Sequence, residues 1–192
     1  LVIAFSLNTK ILGIGIIGVL MAVVYNTPHI GFIYRGLGEP CIFIAYGPVC
    51  TMGAYYMFAD AFSWIPFLLS LSLGFLIVNV LIMNELPDYE ADVAAGKMNW
   101  VARLGKARGL TLYTVFFWLH YVPLVLLAVM TGEPIWLLTV LNIFTFRGVI
   151  SNARANMDNI PALVQSNINT VTIHERAGIY INTALIALYL MH

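Results

Sequence analysis

Long, almost unbroken apolar runs alternate along this chain with short polar segments, and this alternation decides the class of fold. Hydrophobic residues make up 61% of the 192 positions and charged residues 9%, whereas about a quarter of the residues in a soluble domain are charged. An apolar run of ~17–25 residues is long enough for a helix to cross a bilayer. The sequence therefore predicts an all-α, multi-pass transmembrane helical bundle in a lipid bilayer.

The apolar runs predict about six spans. They cover residues 8–25, 40–59, 64–84, 110–131, 134–151 and 176–191. Two short connections join them, together with three long polar connections at residues 26–39, 85–109 and 152–175. An even number of spans places all three long connections on one face of the membrane. The third long connection either caps a site on that face or is a plain connector.

Charge fixes the orientation of this bundle. The face with the long connections receives Arg35, Lys97, Arg103, Lys106, Arg108, Arg147, Arg154 and Arg176, and the opposite face keeps Lys10. Short loops rich in Lys and Arg stay in the cytoplasm, so we expect the long connections on the cytoplasmic side, of the inner or plasma membrane if the source is bacterial. The net charge of +0 gives no indication of nucleic acid as a partner.

The second long connection contains the densest charge in the chain. Residues 84–105 read NELPDYEADVAAGKMNWVARLG and hold four carboxylates within eight positions, Glu85, Asp88, Glu90 and Asp92. Carboxylates next to apolar helices are costly unless a cation is held there. A solvated acidic loop is the alternative interpretation. We interpret the segment as a site for a metal and a diphosphate.

Spacing selects the candidate ligands within this segment. Asn84, Asp88 and Asp92 are four residues apart and would stack on one face of a helix. Oxygen ligands of this kind suit Mg²⁺, which takes one or two carboxylates and completes its shell with water and phosphate oxygens. Lys97 and Arg103 would add positive charge for the same phosphates. We therefore predict Asn84, Asp88 and Asp92 as metal ligands, and Lys97 and Arg103 as substrate-binding residues.

The first long connection, with the end of the preceding span, reads YNTPHIGFIYRGLGE and is expected at the same end of the bundle. Pro28 and the nearby glycines predict a turn-rich loop. Arg35 is either a diphosphate-binding residue or a positively charged membrane anchor. His29 fits an interfacial position better than a metal ligand.

These two segments resemble a known family. The pattern N-E-x-x-D-x-x-x-D followed by G-K and V-A-R-L-G is similar to the second aspartate-rich motif of the UbiA-type intramembrane aromatic prenyltransferases. The first segment, continuing as PCIFIAYGPVCTMGAYY, resembles the branch that prenylates 1,4-dihydroxy-2-naphthoate in menaquinone biosynthesis. Glu85 departs from the usual aspartate, and Asn99-Trp100 replaces the commoner Thr-Leu. The resemblance covers residues 25–105.

The resemblance implies an activity and an architecture. It implies transfer of a polyprenyl group from an allylic polyprenyl diphosphate to an aromatic acceptor, with Mg²⁺ assisting departure of the diphosphate bound by Asp88 and Asp92. Tyr25 would stabilise the allylic cation through its ring face. The family has nine helices and two aspartate-rich motifs, so we expect residues 1–192 to be one transmembrane prenyltransferase domain that is incomplete at its N-terminus.

Three alternatives stay open at this point. The acceptor could be 4-hydroxybenzoate, homogentisate or chlorophyllide, which other members of this superfamily use. A subunit of an ion-coupled transporter would also hold carboxylates in the membrane, although it would place them near the bilayer midplane. A non-catalytic membrane scaffold would make the aspartate spacing accidental.

Overall fold

The computed structural model describes residues 10–27 and 31–191. These residues form helices and contain no strand within the described ranges. The helices are α1 (Lys10–Asn26), α2 (Phe32–Arg35), α3 (Gly38–Ile44), a π-helical segment (Ala45–Val49), α4 (Cys50–Ala59), α5 (Trp64–Glu85), α6 (Tyr89–Ala94), α7 (Trp100–Leu104), α8 (Lys106–Leu119), α9 (Tyr121–Thr131), a 3₁₀ helix (Pro134–Leu141), α10 (Asn142–Ala155) and α11 (Ile160–Met191).

Within the described ranges, four helical stretches are long and apolar enough to cross a membrane. They are Gly38–Ala59, Trp64–Glu85, Lys106–Thr131 and Pro134–Ala155, and a shorter apolar helix covers Leu12–Tyr25. The four stretches match four predicted spans to within a few residues at each end. The prediction of an all-α, multi-pass membrane protein is confirmed.

The last part of the chain differs from the prediction. Residues 176–191 are the second half of α11, a single helix of 32 residues. At 1.5 Å per residue it is ~48 Å long, whereas the hydrocarbon core is ~30 Å thick. The prediction of a long loop at residues 152–175 is wrong, because only residues 156–159 separate α10 from α11.

Strongly polar residues that are not buried, such as Gln165, Asn169 and Glu175, explain why this helix escapes a hydropathy reading. The buried side chains of α11 recur every three or four residues, at Leu163, Ser166, Thr170, Ile173, Ala177, Ile181 and Ala184. Thr170 Oγ1 donates to the Ser166 carbonyl at 2.9 Å and lies 3.0 Å from the Tyr113 hydroxyl. Asn152 Nδ2 donates to Ser166 Oγ at 2.8 Å. Since these polar groups are paired inside the bundle, the helix can bury them.

Helix α5 forms the centre of the bundle. Its second half packs with α7, α8, α10 and α11 around Leu76, Ile82 and Met83. Its first half packs with α9, the 3₁₀ helix and the end of α11 around Leu68 and Leu69. The carboxyl end of this buried helix carries the acidic segment, so the core fixes the position of that segment.

Two proline-containing spans deviate from regular helix. Pro48 lies in the π-helical segment, beside Gly47. A Cβ on Gly47 would lie 2.8 Å from the Ser70 carbonyl oxygen, so glycine permits the close packing of this segment on α5. Pro123 cannot donate to the carbonyl four residues earlier. The break between α8 and α9 lies close to that carbonyl, at His120.

Candidate functional site

The first two polar connections are joined by hydrogen bonds through Trp100. The indole Nε1 donates to the carbonyl oxygen of Gly36 at 3.0 Å. The backbone N–H of the same residue donates to Glu39 Oε1. Gly36 closes α2 with φ +70°, a conformation that side chains other than glycine rarely adopt. The loop around α2 is therefore held against the start of α7.

The acidic segment is also joined to the last connection. Lys106 Nζ lies 3.3 Å from the Met157 carbonyl oxygen and 3.3 Å from Asp158 Oδ1, and 3.9 Å from Glu90 Oε1. Asn167 Nδ2 of α11 donates to Asn84 Oδ1 at the end of α5. All three polar connections therefore meet at one end of the bundle.

The three residues predicted to share a helix face are separated by a turn. Helix α5 ends at Glu85 and α6 begins at Tyr89. Asn84 and Asp88 are exposed, whereas Asp92 is 6% exposed. Asp88 thus faces outward at the N-terminus of α6, while the Asp92 carboxylate turns toward the protein interior.

Asp92 is at the centre of a hydrogen-bonded group. Lys97 Nζ donates to Asp92 Oδ1 at 2.8 Å, and Asn99 Nδ2 donates to Asp92 Oδ2 at 2.7 Å. Asn99 Oδ1 accepts from the backbone N–H of Ala102 at 2.7 Å and caps the start of α7. Gly96, with φ +69°, makes the turn that brings Lys97 back toward α6. The segment after α6 therefore folds around the Asp92 carboxylate.

This pairing keeps Lys97 positively charged. The hydrogen bond from Lys97 to Asp92 raises the pKa of the lysine above its ordinary value of 10.5, and the charge of Asp88 acts in the same direction. The stabilisation from this pair is present below the ordinary pKa and is lost only as the pH rises through the raised value. Lys97 consequently presents a cation between two carboxylates at neutral pH.

The two predicted arginines lie at the edge of the same region. Arg103 is exposed, and its Nε donates to the Met98 carbonyl oxygen at 2.7 Å. Its guanidinium lies against Gly36, where an added Cβ would come within 2.6 Å of Nε. Arg35 is exposed at the end of α2, and it has no hydrogen-bonded or ionic partner within residues 10–27 and 31–191. Both guanidinium groups can reach an anion at this end of the bundle.

Tyr25 connects the charged end to an apolar cavity. Its ring lies beside Gly38, the residue before Glu39, because a Cβ added at Gly38 would lie 3.4 Å from Tyr25 Cε2. Tyr25 also lines a cavity of 380 Å³ between α1 and the helix that starts at Gly38. The other lining residues are mainly apolar and include Met21, Ala22, Cys41, Ile42 and Ala45. The site therefore offers a charged entrance next to an apolar interior, which suits an amphipathic ligand with an anionic end.

The sequence matches that of a known protein family. The sequence profile described as the UbiA prenyltransferase family matches residues 1–164, which include all the site residues predicted from the sequence. The chain belongs to the UbiA prenyltransferase family. No solved structure matches the chain significantly.

Several similar proteins have names that refer to UbiA prenyltransferases or to transferases of naphthoates and naphthoquinones. The chain is 32% identical over 113 residues to a 1,4-dihydroxy-2-naphthoate octaprenyltransferase of Mycobacterium tuberculosis, covering 59% of this chain and 39% of that protein. It is 30% identical over 99 residues to a 2-carboxy-1,4-naphthoquinone phytyltransferase of Synechocystis, covering 52% and 32%. It is 29% identical over 115 residues to a UbiA prenyltransferase domain-containing protein of Dictyostelium discoideum, covering 60% and 35%. The chain spans about two-fifths or less of the length of these relatives.

UbiA prenyltransferases generally use Mg²⁺, and the three predicted ligands differ in how well they suit this ion. Asp92 is engaged by Lys97 and Asn99, and Asn84 accepts from Asn167. Asp88 keeps an exposed carboxylate. No group of three or more His, Cys, Asp or Glu residues within the described ranges could hold a metal. Asp88 therefore fits as one protein ligand to an ion that phosphate oxygens and water also coordinate.

Two site residues of this UbiA chain have no role in the sequence prediction. Glu39 is 0% and Glu85 is 6% exposed. One oxygen of each, Oε2, is buried without a hydrogen-bonding partner in the described part of the chain. Asn99 and Trp100, where the sequence departs from the family pattern, make the hydrogen bonds that hold the loops together. The roles of these residues depend on contacts between segments, which spacing along the chain does not reveal.

His29 of the first polar connection lies outside the described residues.

Proposed function

We propose that the full-length protein transfers a polyprenyl group from an allylic polyprenyl diphosphate to an aromatic acceptor. The observation that carries this proposal is the position of Tyr25, between the charged end of the bundle and the apolar cavity of 380 Å³. An allylic polyprenyl diphosphate has the matching shape, with a highly charged end and a long apolar tail. The family membership of the chain supports the same reaction class.

The diphosphate is assigned to the residues at the charged end. Lys97 and Arg103 would bind its oxygens, with Arg35 as a further partner, because ammonium and guanidinium groups form strong hydrogen bonds to phosphate. Asp88 would share a Mg²⁺ ion with the diphosphate, and that ion would neutralise the charge developing on the leaving group. Asp92 would hold Lys97 in position. The roles of Asp92 in catalysis and in metal binding stay predictions. The role of Asn84 in metal binding also stays a prediction.

The prenyl group must then be protected from water. Breaking the bond between the allylic carbon and the diphosphate oxygen leaves a cation that water would trap. The ring face of Tyr25 would stabilise that cation, and the apolar cavity would exclude water from it. An acceptor ring carbon forms the new bond, and for 1,4-dihydroxy-2-naphthoate the carboxyl group leaves as carbon dioxide.

We favour 1,4-dihydroxy-2-naphthoate as the acceptor, in menaquinone biosynthesis. The names of the Mycobacterium tuberculosis and Synechocystis relatives support an acceptor of the naphthalene type. The positive charges at the loop end support a cytoplasmic site. 4-Hydroxybenzoate, homogentisate and chlorophyllide are the competing acceptors to be compared.

The test uses membranes that contain the full-length protein. They are incubated with labelled polyprenyl diphosphate and each acceptor in turn, with Mg²⁺ or with a chelator. The proposal predicts a prenylated product that depends on Mg²⁺ and forms fastest with 1,4-dihydroxy-2-naphthoate. A transporter or a scaffold would form no such product with any acceptor.

A further inference from the structure

One face of α10 carries two arginines inside a candidate membrane span. Arg147, Ser151 and Arg154 are four and three residues apart, so they lie on one side of the helix. All three are exposed. Together with Phe146, Ile150 and Ala155 they line a groove of 600 Å³. This groove belongs to neither the cavity at Tyr25 nor the charged end described above.

Among the residues that the structure describes, neither arginine has a partner. Neither guanidinium makes a hydrogen bond or an ion pair within residues 10–27 and 31–191. Helix α10 itself contains no Asp or Glu. The nearest acidic residue along the chain, Asp158, is held by Lys106. A charged side chain within a membrane span is costly unless it is paired or reaches the interface, so an anionic group at the interface would be a favourable partner for both arginines.

Their depth in the membrane indicates where that partner lies. The span ends at Ala155, next to the connection that Lys106 contacts. Arg154 lies at this end of the span. Arg147 lies ~12 Å deeper than Ala155 along the helix axis, at 1.5 Å per residue. The polar headgroup region is ~5–7 Å thick on each side of the hydrocarbon. Long arginine side chains can extend from the deeper position to the level of the phosphates.

We propose that Arg147, Ser151 and Arg154 bind the phosphate of an anionic phospholipid on the outer surface of the bundle. Guanidinium groups bind phosphate oxygens through two parallel hydrogen bonds, and the serine hydroxyl donates a further one. Phe146, Ile150 and Ala155 provide an apolar wall for the acyl chains of the same lipid. A soluble phosphate would use the arginines but not this wall. The groove therefore recognises a lipid by both its charge and its chains.

The full-length protein is tested by native mass spectrometry after transfer into mixed micelles of phosphatidylglycerol and phosphatidylcholine. The wild type is expected to retain phosphatidylglycerol preferentially. The double variant Arg147→Gln/Arg154→Gln should lose this preference at least about tenfold, because it removes the paired hydrogen bonds between the guanidinium groups and the phosphate. The single variant Arg108→Gln removes one exposed charge outside the groove, is compared with Arg154→Gln, and should keep the preference.

Three results would overturn the proposal. The first is a groove variant with the wild-type preference, and the second is an equal loss in the control, which would indicate a non-specific charge effect. The third is displacement of the lipid by added inorganic phosphate, which would identify a soluble ligand. Thermal unfolding in phosphatidylcholine alone checks that the variants are folded. If the glutamine variant unfolds, Arg147→Lys/Arg154→Lys replaces it and should show an intermediate preference, because lysine keeps the charge without the paired hydrogen bonds.

Discussion

Lys97 Nζ lies 2.8 Å from Asp92 Oδ1, and the two residues enclose the turn that follows α6. The lysine side chain is 36% exposed and the aspartate side chain 9% exposed. The carboxylate is therefore a buried support for a cation that remains accessible to a ligand. This geometry assigns different tasks to two residues that the sequence places in one charged cluster.

Replacing Lys97 should affect substrate binding more than folding. We expect Lys97→Gln to raise the KM for the polyprenyl diphosphate about tenfold or more, because a hydrogen bond to a charged group contributes ~1.5–3 kcal/mol. Lys97→Arg should restore part of the loss. Steady-state prenyl transfer by the full-length protein measures both. An unchanged KM in Lys97→Gln would show that the lysine does not bind the diphosphate.

Replacing Asn99 should separate its two contacts. Asn99→Ala removes the cap of α7 and the hydrogen bond to Asp92, and the cap alone contributes ~1 kcal/mol. Asn99→Asp keeps a capping oxygen but places a second negative charge beside Asp92, so it should reduce activity while α7 stays capped. Thermal unfolding and prenyl transfer are measured on both variants. Equal activity of Asn99→Asp and the wild type would contradict the assigned contact.

The two glycines at Gly36 and Gly96 form a matched pair. They have φ values of +70° and +69°, but a Cβ at Gly36 would lie 2.6 Å from Arg103 Nε, whereas a Cβ at Gly96 meets nothing within 4 Å. Each alanine variant should lose ~1 kcal/mol of stability from the left-handed backbone. Only Gly36→Ala should also displace Arg103 and lower the activity. Equal activities of the two variants would show that the loop around α2 does not contribute to the site.

The close packing of the π-helical segment can be tested in the same way. A Cβ at Gly47 would lie 2.8 Å from the Ser70 carbonyl oxygen, while a Cβ at Gly148 meets nothing within 4 Å. Gly47→Ala should therefore destabilise the protein, by ~1–3 kcal/mol for overpacking. Gly148→Ala should raise stability by up to ~1 kcal/mol, since alanine favours helix. Thermal unfolding in detergent compares them, and a stable Gly47→Ala variant would contradict the observed packing.

The sequence predicts the fold class well because hydropathy depends on local composition. Four long apolar runs coincide with four candidate spans. It fails at α11, because that helix carries strongly polar residues such as Gln165 and Glu175 outside its buried face, while Ser166 and Thr170 are buried with partners on α10 and α8. Hydropathy measures the cost of a polar group in lipid, and it does not register a hydrogen bond from a distant residue.

The same limit applies to the site. The aspartate spacing correctly indicates where the charged end of the bundle lies, but it assumes one continuous helix from Asn84 to Asp92. The turn after Glu85 exposes Asp88 and buries Asp92. Glu39 enters the site through Trp100, a residue 61 positions away along the chain. Contacts over such separations follow from the packing of the helices.

We propose that Asp88 serves prenyl transfer at the charged end of the bundle. The decisive measurement compares Mg²⁺-dependent transfer of labelled polyprenyl diphosphate by the full-length wild type, Asp88→Asn and Glu90→Gln. The Glu90 side chain is 81% exposed on the same helix and provides the control. We predict that Asp88→Asn lowers the rate at least ~100-fold, the scale expected when stabilisation of the leaving group is lost, and that Glu90→Gln is nearly unchanged. Full activity of a folded Asp88→Asn protein would contradict the account.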